Sequence, residues 1–74
     1  MKVIFSNNGL FGGYHLRAVK KGQVVKIQEC YEGTSARYKT IATLWSDTFE
    51  RLVAVRDMSN PSALYKIAQF WNNH

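Results

Sequence analysis

The chain has a single cysteine, Cys30, and a single proline, Pro61, among its 74 residues. One thiol cannot close an internal disulfide, so burial and hydrogen bonding must hold the fold, and a leftover thiol suits a reducing compartment. A cytoplasmic protein is expected. The histidines are His15 and the terminal His74, both remote in sequence from Cys30, so the ligand spacing of a metal site is missing. No apolar run is long enough to cross a bilayer. Near the N-terminus, Val3-Ile4-Phe5 gives way to Ser6-Asn7-Asn8-Gly9 too soon for a signal peptide. A membrane is not expected as a partner.

Acidic residues are missing from the first 28 positions, which carry Lys2, Arg17, Lys20, Lys21 and Lys26. The remainder balances Arg37, Lys39, Arg51, Arg56 and Lys66 against Glu29, Glu32, Asp47, Glu50 and Asp57, so the net charge of +5 resides in the N-terminal part. Such asymmetry bears on partners rather than on fold. It predicts an acidic counterpart: a protein surface, a nucleoprotein complex, or nucleic acid bound directly.

Apolar and aromatic residues are plentiful. Hydrophobic residues make up 46% of the chain and charged residues 20%, with a mean hydropathy of -0.27. That is far from the composition of a disordered chain. A length of 74 residues supports one compact core, hence a single domain over 1–74. Two Trp, four Tyr and four Phe are many for such a core. Some should stay at the surface, in a partner interface or a homodimer contact.

The order of local signals predicts an α+β fold. A small antiparallel sheet of three to four strands, at about 2–6, 14–20, 23–31 and 37–45, precedes helices at about 47–57 and 61–72, the last packing on the sheet. Asn7-Asn8-Gly9 reads as the turn after the first strand, and Leu10-Phe11-Gly12-Gly13 as a bulge or flexible loop. Asp47 followed by Glu50 resembles a capping box, with Phe49, Leu52, Val53 and Arg56 on one helical face. Val53 and Val55 favour a strand there, but the helix is the better reading. For the last helix, Asn60 can cap, Pro61 suits the first position, and Leu64, Ile67, Ala68 and Trp71 form the apolar stripe.

The hairpin from Tyr14 to Tyr31 is the clearest local signal, with Lys21-Gly22 between two β-branched runs. A two-residue loop at Lys21-Gly22 pairs Ala18 with Val25, Arg17 with Lys26, Leu16 with Ile27 and His15 with Gln28. Leu16, Ala18, Val25 and Ile27 then share one face, and His15, Arg17, Lys26 and Gln28 the other. A three-residue loop would mix polar and apolar residues on both faces, which a buried face selects against. Arg17 opposite Lys26 is a like-charge pair, mildly destabilising unless something relieves it.

These features define a candidate anion-binding face: His15, Arg17, Lys26 and Gln28 on the hairpin, Lys20 and Lys21 at its tip, and Arg37 and Lys39 on the outer face of the next strand. The bland alternative is a solvated sheet face whose lysines discourage edge-to-edge association. Tyr31, Tyr38, Tyr65 and Phe70 are the candidate interface aromatics.

Other signatures fail. Gly12-Gly13 lacks the Gly-Lys-Ser/Thr ending and the helix of a phosphate loop. A second helix offering Lys66, Gln69 and Asn73 is a thin supply for reading DNA. The Lys21-Gly22-Gln23-Val24-Val25 run lacks the stacking aromatics of an RNA-recognition sheet. Cys30 shares a face with His15, displaced by one pair, but no acid or amide is evidently placed to complete a nucleophilic site. No enzyme, cofactor or metal is expected. The expected function is that of a small regulator or inhibitor docking through its basic hairpin face, a kind of chain common among phage and mobile-element products. Sequence-tolerant nucleic-acid binding through the same cations is the alternative.

Overall fold

The computed structural model describes residues 2–10, 13–31 and 37–73. Four strands precede two helices: β1 (Lys2–Leu10), β2 (Tyr14–Lys21), β3 (Val24–Tyr31), β4 (Lys39–Trp45), α1 (Ser46–Ala54) and α2 (Ala63–Asn72). The strands form one antiparallel sheet in chain order, β1-β2-β3-β4. The α+β arrangement read from the sequence is therefore the one adopted, with α2 on the sheet. No helix of the described residues is long and apolar enough to cross a membrane.

Alternation along the strands decides which face the helices cover. Leu16 and Ala18 of β2, Val25 and Ile27 of β3, and Ala42 and Leu44 of β4 are buried in one cluster with Phe49 of α1 and Leu64, Ile67 and Ala68 of α2. Along α2 these residues recur at the three-to-four spacing of a helical stripe, and along α1 Phe49 is followed at that spacing by the partly buried Leu52 and Val53, so one face of each helix meets one face of the sheet. Ile4, Phe5, Leu52, Val53 and Trp71 pack around this core.

Several boundaries differ from expectation, among them the starts of β4 at Lys39 and of α2 at Ala63. β1 does not stop at Ser6: the Asn7-Asn8-Gly9 segment stays in the strand to Leu10. Register shifts between Val3 and Phe5 and between Asn7 and Leu10 absorb the extra residues, as bulges do on edge strands. Asp47 does not cap α1. Trp45 holds that position without a side-chain cap, and the Ser46 N–H donates to the Gln23 carbonyl at 2.8 Å. A backbone acceptor from the β2–β3 turn thus takes the first free donor of the helix. α1 also ends at Ala54, leaving Val55 and Arg56 in the following turn. Of the expected Leu10-Phe11-Gly12-Gly13 loop, Phe11 and Gly12 lie outside the described residues, as do residues 32–36 and His74.

α2 is held at both ends by asparagines. Asn60 prepares its entry, its side-chain oxygen accepting from the Ser62 N–H at 2.9 Å while its carbonyl accepts from Ala63 N–H at 3.0 Å. The helix itself begins at Ala63, two residues beyond Pro61. From β1, Asn7 Oδ1 accepts the Leu64 N–H at 3.2 Å. At the far end, Asn72 Nδ2 donates to the Ile41 carbonyl at 2.9 Å, beside the register shift in β4. Free helix-end donors need such partners, and here the sheet supplies one of them.

Asn7→Ala removes the acceptor of a part-buried N–H and should destabilise by about 1 kcal/mol. Asn72→Ala, whose bond is exposed, should cost less. Urea midpoints of the two variants at unchanged slope check both the size and the order.

Candidate functional site

The sheet face away from the helices is built by the β2–β3 turn. β2 and β3 pair Lys21 with Val24, Val19 with Lys26, Arg17 with Gln28 and His15 with Cys30. The two-residue turn is Gly22-Gln23, not Lys21-Gly22, because Gly22 takes the first central position with φ of 61°, where a tight hairpin turn requires positive φ. The shift is of two residues, so every side chain keeps its expected face and only its partner changes. Arg17 faces Gln28 and not Lys26. The like-charge pair read from the sequence does not exist.

That pairing fixes the arginine. Arg17 Nε donates to Gln28 Oε1 at 2.8 Å, and Gln28 Nε2 donates in turn to Thr40 Oγ1 of β4 at 3.2 Å. The Arg17 guanidinium carbon lies 3.7 Å from the centre of the Tyr38 ring, within the range of a cation–π contact. A row of hydrogen bonds therefore crosses three strands and ends under an aromatic lid. With Nε engaged, the Nη donors are the ones left to meet a carboxylate or phosphate, whose paired oxygens a planar guanidinium fits.

The neighbouring rows divide this face in character. Val3 and Val19 lead to Lys26 and Thr43, and Val24 stands opposite Trp45. Trp45 is 63% exposed and Val3 47%, whereas Val19 is buried. One end is thus aliphatic and aromatic, and the middle is cationic. Among the described residues this face carries no carboxylate, since Glu29 pairs with Leu16 and Lys39 on the helix side and Asp47, Glu50 and Asp57 lie in or after α1.

The candidate residues do not all gather here. His15, Arg17, Lys21, Lys26 and Gln28 do. Lys20 is opposite Lys2 and Val25, on the helix side, where it lines a groove with Ser46 and Glu50. Lys39 is opposite Glu29 and also on the helix side, because the Gln28 bond fixes Thr40 outward and alternation sends Lys39 inward. Arg37 is exposed just before β4. Of the aromatics, only Tyr38 joins the face. Tyr31 stacks obliquely on Tyr14 at 4.8 Å, Tyr65 meets Tyr14 edge-on at 6.3 Å, and Phe70 lies 5.5 Å from the Arg56 guanidinium carbon. Trp45 was missed, although counting by twos from Lys26's partner Thr43 along β4 reaches it.

His15 and Cys30 are directly opposite rather than displaced by one pair. The thiol is nevertheless buried, and its Sγ contacts the Tyr31 carbonyl at 3.9 Å, the setting of a small core hydrophobe. No group of three or more potential metal ligands occurs among the described residues. No family model, curated protein or solved structure matches the chain.

Among the described residues, Tyr14 is an ionisable group that its surroundings perturb strongly. Burial, with Glu29, Tyr31 and Tyr65 nearby, pushes its phenol from 10.0 up to about 12, because a phenolate there would be poorly solvated and would face the Glu29 carboxylate. The phenol donates to Glu29 Oε1 at 3.5 Å. In the unfolded chain Tyr14 loses its proton near pH 10.0, whereas the folded protein holds it to about 12. The folded state therefore binds more protons across that interval, and stability should fall as the pH rises through it. Urea midpoints should decline less steeply over this window in Tyr14→Phe than in the parent chain.

Proposed function

We propose that this protein is a non-catalytic binding module, a regulator or inhibitor that docks on an acidic protein surface through the helix-free face of its sheet. The observation that carries the reading is the fixed Arg17 at the centre of that face, aligned by Gln28 and Tyr38 amid Lys21 and Lys26. An arginine already held in one geometry loses less freedom on meeting a carboxylate. Arg, Trp and Tyr are also the side chains that most often anchor protein interfaces, and Arg17, Trp45 and Tyr38 share one face of the sheet.

The aliphatic end favours protein over nucleic acid as the ligand. Val24 opposite Trp45, and Val3 exposed on the far edge strand, have no counterpart in a phosphate backbone but match the apolar part of a protein contact. A homodimer built by packing this face on itself would bring the cations of both copies together, an arrangement that electrostatic complementarity opposes. An acidic partner neutralises them instead.

A tagged copy should retrieve a defined protein after nuclease treatment. Replacing Arg17 and Lys26 together by Gln, or Trp45 by Ala, should weaken that complex by about 2 kcal/mol or more, roughly thirtyfold in affinity. Nucleic-acid binding through the same cations would instead show as affinity for a random oligonucleotide at about 50 mM salt that collapses by about 200 mM. Finding that affinity, with no protein retrieved, would overturn the protein-docking reading.

A further inference from the structure

The helix layer leaves a gap over β1. An apolar cleft of about 340 Å³ opens between Ile4 and Phe5 of β1 and Phe49, Val53 and Ala54 of α1. Beside it lies a polar hollow of about 510 Å³, walled by Gly22, Gln23, Trp45 and Asp47. Lys20, Ser46 and Glu50 line both, so the two cavities meet at these side chains. The floor of the cleft is the hydrophobic core itself, with the Phe5 and Phe49 rings 6.1 Å apart.

The mouth is charged in both senses. Lys20 stands there with Lys2 directly opposite on β1, a like-charge juxtaposition that costs stability unless an anion relieves it. Glu50 and Asp47 stand on the helix side of the same opening. A simple organic anion would meet the lysines and be repelled by the carboxylates, and a simple cation the reverse. A molecule carrying an ammonium and a carboxylate on one carbon, with an apolar substituent, matches the whole arrangement.

We propose that this cleft binds a free α-amino acid with a large apolar side chain. The side chain lies over the floor formed by Phe5 and Phe49 and against Val53; its carboxylate is drawn to Lys20, and its ammonium to Glu50 and Asp47. The Ser46 hydroxyl at the junction can bond either group. The apolar cleft is on the opposite side of the sheet from Arg17, and the adjoining hollow shares Trp45 with the docking face; the proposal does not depend on that face binding a protein. Because the mouth is open to water, which screens both charge contacts, a dissociation constant on the order of 1 mM is expected.

The test uses the full chain and four probes followed by amide chemical shifts: phenylalanine, N-acetylphenylalanine, phenylalaninamide and glycine. Phenylalanine should shift residues of β1 and the first turns of α1. The acetylated and amidated forms, each lacking one charge, should bind at least fivefold more weakly, and glycine not detectably. Ala54→Trp, at an exposed position of the wall, should block binding while leaving the remaining spectrum folded. Lys20→Gln should abolish the discrimination against phenylalaninamide, and Glu50→Gln that against N-acetylphenylalanine. Equal binding of the acetylated form would make this a site for a chain terminus or an organic acid and overturn the proposal. So would the absence of any shift at about 10 mM phenylalanine, ten times the expected constant, or unchanged binding by Ala54→Trp.

Discussion

The turn at Gly22 and Gln23 ties the two layers of the molecule together. Gly22 accepts the positive φ that lets β2 reverse directly into β3, and this brings Arg17 opposite Gln28. The Gln23 carbonyl accepts the Ser46 N–H, so the same two residues also fix where α1 leaves the sheet. Register and helix start are therefore one constraint. A turn displaced by a single residue shifts the register by two and keeps every face intact, yet it would break the Arg17–Gln28–Thr40 row and leave the first donor of α1 without its acceptor.

That property explains how much of the site was legible. Which residues share a face depends on parity alone, and parity is written in the alternation of Leu16, Ala18, Val25 and Ile27. Which residue sits opposite which depends on the turn, and Lys21-Gly22 and Gly22-Gln23 both satisfy the alternation. Only the preference of the first central position for glycine separates them. The helices were readable from their stripes. The contacts that fasten α2 were not, because Asn7 and Asn72 are ordinary polar residues in sequence and acquire roles only once Leu64 and Ile41 are beside them. Lys20 and Lys39 were assigned to the cationic face by charge, whereas their strand positions send them to the helix side.

Both edges of the sheet are irregular, and this shapes what the protein can pair with. β1 has register shifts at Ile4 and beyond Asn7, and β4 has one next to Ile41, where the carbonyl is occupied by Asn72. Irregular, lysine-bearing edges resist the addition of another strand. Recognition is thereby moved from the backbone edges to side-chain surfaces. Two are proposed, a face with no carboxylate among its described residues and a cleft whose mouth carries both signs of charge.

The proposed docking face differs from a core surface awaiting its other half. Val19 lies in its middle yet is only 1% exposed, so the surrounding side chains of the sheet already cover it in the free protein. What stays exposed is Trp45 and Val3 at one end and the hydrated cations around Arg17. Long basic side chains can shield aliphatic groups in this way while keeping their charged heads in water. A surface so constituted is compatible with a free state, unlike the largely apolar interfaces of obligate dimers. It suits an association that is guided by charge and completed by a few fixed anchors, in which the cations govern how fast the complex forms and Arg17 and Trp45 govern how long it lasts.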